Sequence, residues 1–293
     1  MPEVFVAGPV SWNRLVVLDR LPEPRPHTAF ARSHRTALGG TSAGKALNLA
    51  ALGASVTLRT VIGDDEAGRA IADVLTAAGV ELIAEVAPGA SEQHLNLMSP
   101  RGGRVSIYLE LPELAHPRHD DRALAALADA DAAVVDLAEH SRPLLAAARR
   151  AGVPVWCDVH DYDGVAEYHR DFVEAADHLF LNDDGMSEPE LVAFLAGRVA
   201  AGTRTAVATR GAQGATAAVR SGLHHVPATP VERIVDTNGA GDAFFSGFLV
   251  AHLAGADTPT ALAAGASQAA RCLGSPDLAP DVPGLASGPP SGS

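Results

Sequence analysis

Along most of the chain, short apolar runs of β type alternate with longer runs rich in alanine and leucine, a rhythm that few folds can absorb. It predicts strands at Val4–Ala7, Ser55–Thr60, Ala132–Asp136, Val153–Asp158, His178–Leu181, Thr205–Thr209 and Ala215–Val219. Between them it predicts helices near Ser42–Leu52, Glu66–Ala78, Asp121–Asp129, Arg142–Ala151, Ser187–Ala200, Ala240–Ala254 and Pro259–Cys272. Several helical runs stop at a glycine, in the pairs Leu52-Gly53, Ala78-Gly79, Ala151-Gly152 and Ala254-Gly255, where the left-handed turn that ends a helix carries no Cβ penalty. A helix between successive strands is a crossover connection, and crossovers make parallel sheets covered on both faces. The wholly apolar run Ala132-Ala133-Val134-Val135 fits a central strand of such a sheet. The expected fold class is α/β with a mostly parallel central sheet.

Two stretches break the rhythm. Residues of about 12–36 are punctuated by Pro22, Pro24 and Pro26, and those of about 92–110 read as two alternating strands about a Pro100-Arg101-Gly102-Gly103 turn. They form either a small second sheet inserted as a lid or a pair of surface hairpins. With 293 residues, the chain is long enough for one large domain, expected over 1–284, and the polar stretch 285–293 reads as a disordered tail.

Charge narrows the function classes. Twenty-two basic against 35 acidic residues give a net charge of −13, which disfavours a non-specific nucleic-acid binder or a polybasic membrane-surface protein. A phosphate ligand would have to be held by local devices. Cys157 and Cys272 are too few for a metal-finger framework and read as buried thiols of a reducing compartment. The N-terminal stretch lacks a basic region and a long apolar run, so a cytoplasmic protein without membrane spans is expected.

The most informative segment is Val235-Asp236-Thr237-Asn238-Gly239-Ala240-Gly241-Asp242-Ala243-Phe244. An apolar strand end is expected to run into Gly239, Ala240 and Gly241, after which apolar residues recur with helical spacing. The first backbone N–H groups of a helix have no intrahelical partner and carry the positive end of its dipole, so small residues there admit an anion. Asp242, in the first turn, would stand beside that anion as a general base. A plain helix cap explains a Gly-x-Gly fragment, but not as readily the seven-residue string with an acid at both ends. Thr209, with Gly211 and Gly214 beyond it, is either a simple turn or a hydroxyl and backbone cradle for a polyphosphate.

Asp236-Thr237-Asn238-Gly239-Ala240-Gly241-Asp242 resembles the C-terminal signature of the ribokinase-like family of carbohydrate and nucleoside kinases, also called the PfkB family. Gly39-Gly40 followed by a helix resembles its N-terminal signature, Gly63-Asp64-Asp65-Glu66-Ala67-Gly68 its Gly-x-Asp-x-x-Gly segment, and Thr209-Arg210-Gly211-Ala212-Gln213-Gly214 its nucleotide-phosphate loop. The similarity covers residues 3 to 277 or so. It implies a three-layer α/β sandwich with a small inserted β lid, and ATP-dependent transfer of a phosphoryl group to a hydroxyl of a small sugar, sugar acid or polyol. It also implies Mg²⁺, with a monovalent cation as a further candidate, and a lid-mediated homodimer. By the same resemblance Asp242 is the base and Gly239, Ala240 and Gly241 the anion hole. Thr209, Gly211, Gly214, Thr237 and Asn182 would bind nucleotide, and Gly39 and Gly40 would hinge the lid.

Two departures stand out. The family's Asn-x-x-Glu motif matches at Asn182, but Gly185 replaces the glutamate, leaving Asp183, Asp184 or Glu188 to supply a charge towards the metal. In the acceptor site, after Ser11, Asn13 stands where the family offers an aspartate, and Gly44 where it offers an asparagine. Asp158 and His160, after another strand, are either acceptor contacts or solvated loop groups, and Trp12 packs either on a sugar or base face or into the core. The rivals are a nucleoside kinase and a protein that keeps the fold but only binds. A dinucleotide oxidoreductase is disfavoured because the first strand leads into Gly8-Pro9-Val10-Ser11, without a Gly-x-Gly-x-x-Gly fingerprint.

Overall fold

Each of the seven strands and seven helices predicted from the alternating rhythm corresponds to one in the computed structural model, which describes residues 1–99, 103–113, 121–280 and 282. The strands are β1 (Glu3–Ala7), β2 (Ser11–Leu18), β3 (Ala31–Gly39), β4 (Ser55–Gly63), β5 (Glu81–Ala87), β6 (Gln93–Met98) and β7 (Arg104–Glu110), then β8 (Ala132–Val135), β9 (Val155–Asp158), β10 (His178–Asn182), β11 (Thr205–Thr209), β12 (Ala215–Val219) and β13 (Gly222–Val226). The helices are α1 (Thr41–Ala51), α2 (Glu66–Ala77), α3 (Asp121–Ala128), α4 (Arg142–Ala151), α5 (Arg170–Ala175), α6 (Glu188–Ala200), α7 (Ala240–Leu253) and α8 (Thr258–Leu273). The glycines at the four predicted helix stops have φ of 86° (Gly53), 81° (Gly79), 74° (Gly152) and 85° (Gly255), the left-handed values that argument required.

Among the described residues, nine strands form one sheet in the order β13-β12-β11-β10-β9-β8-β1-β4-β5. All neighbours are parallel except around β12, which runs antiparallel to β11 and β13. The chain winds outward from β1 through β4 to β5, then returns to the other side of β1 with β8. The winding therefore reverses between β1 and β8, and a crevice opens there at the carboxyl ends of the strands. Alternation along β1 sends Val4 and Val6 into one core layer with Leu47, Leu49, Phe245 and Phe248, and Phe5 and Ala7 into the opposite layer with Leu127, Leu144, Phe172 and Leu195. That is a three-layer α/β sandwich, as expected. No helix of the described residues is long and apolar enough to cross a membrane.

The two stretches that broke the rhythm form one second sheet of order β3-β2-β6-β7, not separate hairpins. Its central pair, β2 and β6, is parallel, which joins distant parts of the chain. The register puts Ser11, Asn13 and Leu15 of β2 on one face with Arg35 and Ala37 of β3, His94 and Asn96 of β6, and Tyr108 of β7. Arg35 reaches Asp236 at 3.2 Å and Arg104 reaches Asn238 at 3.2 Å, so the edge strands of this sheet touch the loop before α7.

Three elements were not foreseen. Strands β5 and β13 are the edges of the large sheet, so their mixed exposure gives no clean apolar run, and α5 is too short to show a period. Conversely, the strand end expected at Val235 is loop: Val235 is 47% exposed, and its N–H bonds to the carbonyl of Leu273 at the C-terminal end of α8. Most of the turn expected at Pro100–Gly103, and the expected tail 285–293, lie outside the described residues.

Candidate active site

Parallel register lines up the polar ends of adjacent strands. Asn182, at the end of β10, pairs with Thr209 at the end of β11. Asp158, at the end of β9, pairs with Phe180, two residues before Asn182, and Asp136 directly follows β8. With strands ~4.8 Å apart, Thr209, Asn182, Asp158 and Asp136 form a row of roughly 15 Å that ends at the crevice beside β1.

Over this row stands the first turn of α7. Gly239 is its N-cap with φ 80°, and the side chain of Asp236 turns the loop by accepting from the Asn238 N–H at 2.9 Å. Thr237 precedes the turn, and Gly241 is exposed with open space where a Cβ would be. The first turn of α7 thus sets Gly239, Ala240 and Gly241 directly before Asp242, with the Ala240 N–H turned to the Thr237 carbonyl at 3.5 Å.

Asp242 itself is held more tightly than its sequence position suggested. Its Oδ1 accepts from the Thr41 hydroxyl at 2.5 Å and lies 3.2 Å from Lys45 Nζ, while its side chain stays 14% exposed. Lys45 is wholly buried, and its ammonium also lies 2.9 Å from Asp136 Oδ1 and 3.3 Å from Asp158 Oδ2. The other oxygen of Asp136 accepts from the Ser42 hydroxyl at 2.7 Å, and Asp158 accepts from the His160 N–H at 3.1 Å. Gly44 is buried inside α1, where an added Cβ would lie 2.7 Å from Asp242 Oδ2; the absence of a side chain lets the carboxylate pack onto the helix.

The electrostatics follow from burial set against pairing. Burial pushes the Asp242 carboxyl above its usual value, although Lys45 and Thr41 pull it back. For Asp158 burial acts in the same direction, but Lys45 and His160 outweigh it and hold the carboxyl down at about 2. Burial alone would strip the proton from Lys45, yet its aspartate neighbours overcome that and keep it a cation.

The other expected residues fall in three places. Thr209 caps its strand with its hydroxyl 3.5 Å from the Leu181 carbonyl, and beyond it Gly211 and Gly214 bracket an exposed single turn. Asn182, Asp183 and Asp184 occupy the next loop, where Asn182 Oδ1 accepts from the Asp184 N–H at 2.9 Å. Arg210 ties the two loops by reaching Glu188 at 2.8 Å, and the helix start expected near Ser187 is present as a capping box with Glu190. Third, Ser11, Asn13, Gly39 and Gly40 lie where the second sheet joins α1: Ser11 Oγ is buried without a partner, and Asn13 Oδ1 accepts from the His94 N–H at 3.2 Å. His160 sits at the crevice in a left-handed conformation (φ 52°), its side chain 39% exposed, and Trp12 packs against the main core.

Residues 6–283 match the profile of a family described as pfkB family carbohydrate kinase. The chain belongs to that family. Acarbose 7(IV)-phosphotransferase of an Actinoplanes species is 30% identical over 270 residues, covering 90% of this chain and 89% of that protein. ATP-dependent ribose-1-phosphate kinase of Halopiger xanaduensis is 31% identical over 273 residues, covering 89% and 88%. Among solved structures, the microbiome-derived acarbose kinase Mak1 superposes with a TM-score of 0.83 at 29% identity, covering 94% of this chain and 93% of that one. As a pfkB family carbohydrate kinase, the protein is a phosphotransferase that uses ATP and acts on a hydroxyl of a sugar.

The glycine departures of this pfkB kinase, Gly44 and Gly185, have packing causes. At Gly185 a Cβ would lie 2.5 Å from the carbonyl oxygens of both Asp161 and Tyr162, so the loop after β10 runs too close to the loop after β9 for any side chain there. Among the described residues, no group of three or more His, Cys, Asp or Glu side chains could hold a metal ion. Kinases of this family work with a divalent metal, and the donors at Asn182, Asp183 and Asp184 are hard oxygens that suit an ion keeping water and phosphate as most of its ligands. Thr41, Ser42, Lys45 and Asp136 were missed from sequence. Two signals pointed to Lys45 and Asp136: Lys45 is the one charged residue in a buried helix, and Val134-Val135-Asp136 ends like Trp156-Cys157-Asp158, an apolar strand closed by an aspartate.

Proposed function

We propose that this kinase phosphorylates a hydroxyl of a neutral sugar or polyol, with Asp242 as the general base. The observation that carries the reading is the Asp242 carboxylate, partly open and set in the first turn of α7 above the strand-end row. A hydroxyl hydrogen-bonded to it would lose its proton as it attacks, while the N–H groups of Gly239, Ala240 and Gly241 stabilise charge on the transferring phosphoryl group. Thr209 and Gly211 would hold nucleotide phosphates along the same edge, with Gly214 supporting their turn. Mg²⁺ bound with ATP supplies charge neutralisation of the phosphate oxygens. Asn182, Asp183 and Asp184 are the residues that would support it.

The second sheet would act as a lid inserted at 12–36 and 92–110 into a 1–284 kinase domain. Gly39 and Gly40 would hinge it, and its closure would exclude water from the transfer. Its inward groups favour hydroxyls: Ser11 Oγ and Asn96 Oδ1 are buried without partners, and Asn13 lies beside them. Asp158 and Asp242 accept hydrogen bonds and repel carboxylates, so of the expected acceptors a sugar acid fits least. The exposed strand β7, with Ile107 and Tyr108 at its surface, is where the expected homodimer would pair.

The test is a screen by coupled ADP release, with Mg²⁺, of neutral mono- and oligosaccharides, sugar 1-phosphates, sugar acids and nucleosides. Turnover is expected with a neutral sugar. A preference for nucleosides would move the protein to the nucleoside kinases, and ATP and sugar binding without turnover would make it a binding protein. The pH dependence adds a check on the base. Because burial raises the Asp242 carboxyl above 3.8 and the base works ionised, kcat should fall on acidification with an apparent pKa above that value. A limb at or below the ordinary carboxylate range would count against Asp242.

A further inference from the structure

We infer that Lys45 is a positioning residue for the phosphoryl-transfer base: its buried ammonium, enclosed by α1, α7 and the ends of β8 and β9, fixes the orientation of the Asp242 carboxylate and keeps it ionised. The inference rests on the reading of Asp242 as the base. Lys45 is not itself in contact with substrate, because none of its side chain is exposed.

The geometry separates the two oxygens of Asp242. Thr41 and Lys45 both engage Oδ1, and Lys45 Nζ lies only 2.5 Å from the same Thr41 hydroxyl. Oδ2 lies over Gly44, on the side without those donors. A carboxylate pinned at one oxygen presents the other in a single direction, which is what a proton acceptor in an in-line transfer requires.

The charged and titratable neighbours of the ammonium come from each element around it. Asp136 follows β8, Asp158 ends β9, Asp242 belongs to α7, and His160 lies in the loop beyond Asp158. Cys157 of β9 is a buried neutral thiol, and the Phe245 ring of α7 lies 5.0 Å from Nζ. One cation therefore faces an excess of carboxylates. Without it Asp242 would sit in a buried cluster of like charge and would hold its proton to higher pH.

A purely structural role, in which Lys45 only offsets buried acids, makes a different prediction. Lys45→Met alone leaves uncompensated carboxylates and can fail to fold. K45M/D136N removes one charge of each sign and is compared with D136N, in which Lys45 still faces Asp158 and Asp242. With the neutral sugar found by the screen, the double variant should melt close to D136N and keep its KM for ATP. Its kcat should lie about 100-fold below that of D136N, and its acid limb should move to higher pH. A double variant with the kcat and pH profile of D136N overturns the inference, whatever its melting temperature. K45Q/D136N is read in the same way if the methionine variant does not fold. A ¹³C titration of the Asp242 carboxyl, assigned with D242N, reads the same shift without turnover. An unshifted Asp242 would sink the role of Lys45 even if the wild-type protein phosphorylates no acceptor, whereas a shifted one beside an inactive wild type would sink only the kinase reading.

Discussion

Asp242→Asn lowers kcat by about 10³-fold while the KM for ATP changes by no more than about threefold. The asparagine is isosteric. Its amide oxygen can still accept from the Thr41 hydroxyl, and Lys45 keeps Asp136 and Asp158 as partners, so the first turn of α7 and its N–H groups stay where they are. What is lost is the ability to take a proton from the acceptor hydroxyl and the negative charge that orients it. Steady-state kinetics by ADP release, with a melting curve beside them, check both halves of the expectation. Turnover within about tenfold of wild type would remove Asp242 from the role of base.

Gly40→Ala costs about 3 kcal/mol of stability, against about 1 kcal/mol for Gly53→Ala. Both glycines have left-handed backbones, with φ of 89° and 86°, so both alanines carry the same conformational penalty. Gly53 has nothing within 4 Å of an added Cβ, whereas at Gly40 the Cβ would lie 2.6 Å from the Pro9 carbonyl oxygen and 2.7 Å from the Val10 Cα. Those atoms are backbone and cannot rotate away, so β3, the start of α1 or the loop after β1 must shift. Because Thr41 and Lys45 follow directly, the same shift should lower kcat in Gly40→Ala and not in Gly53→Ala. Urea unfolding of the two variants and their kcat values test this. Equal stability losses would mean that the joint between the second sheet and α1 is looser than it stands.

Most of the central sheet was legible from the chain alone, because burial on both faces gives β1, β8 and β11 apolar runs that nothing else in a soluble α/β pattern produces. Edge strands escape the same reasoning: β5 exposes Glu81 and Val86 and half-buries Glu85, so it shows no clean apolar run. The second sheet was visible as two interruptions but not as one object, since the pairing of β2 with β6 joins residues about 80 positions apart through a parallel register that no turn sequence announces.

The same division runs through the candidate site. Glycine stops, strand runs and the first turn of α7 with Asp242 in it depend on residues next to one another in the chain, through φ, side-chain period and helix-start signals, and the sequence by itself determined them. The setting of Asp242 depends on residues far apart: Lys45 meets Asp136 across 91 positions, and Thr41 meets Asp242 across 201. Only the strand order brings those pairs together, because the reversal of winding beside β1 places the ends of β8 and β9 under the first turns of both α1 and α7. Close approach decided the rest: the backbone carbonyls beside Gly185 leave no room for a glutamate, and the carboxylate beside Gly44 occupies the space a side chain would take. Contacts of that kind are set by packing in three dimensions and leave no local trace in the chain.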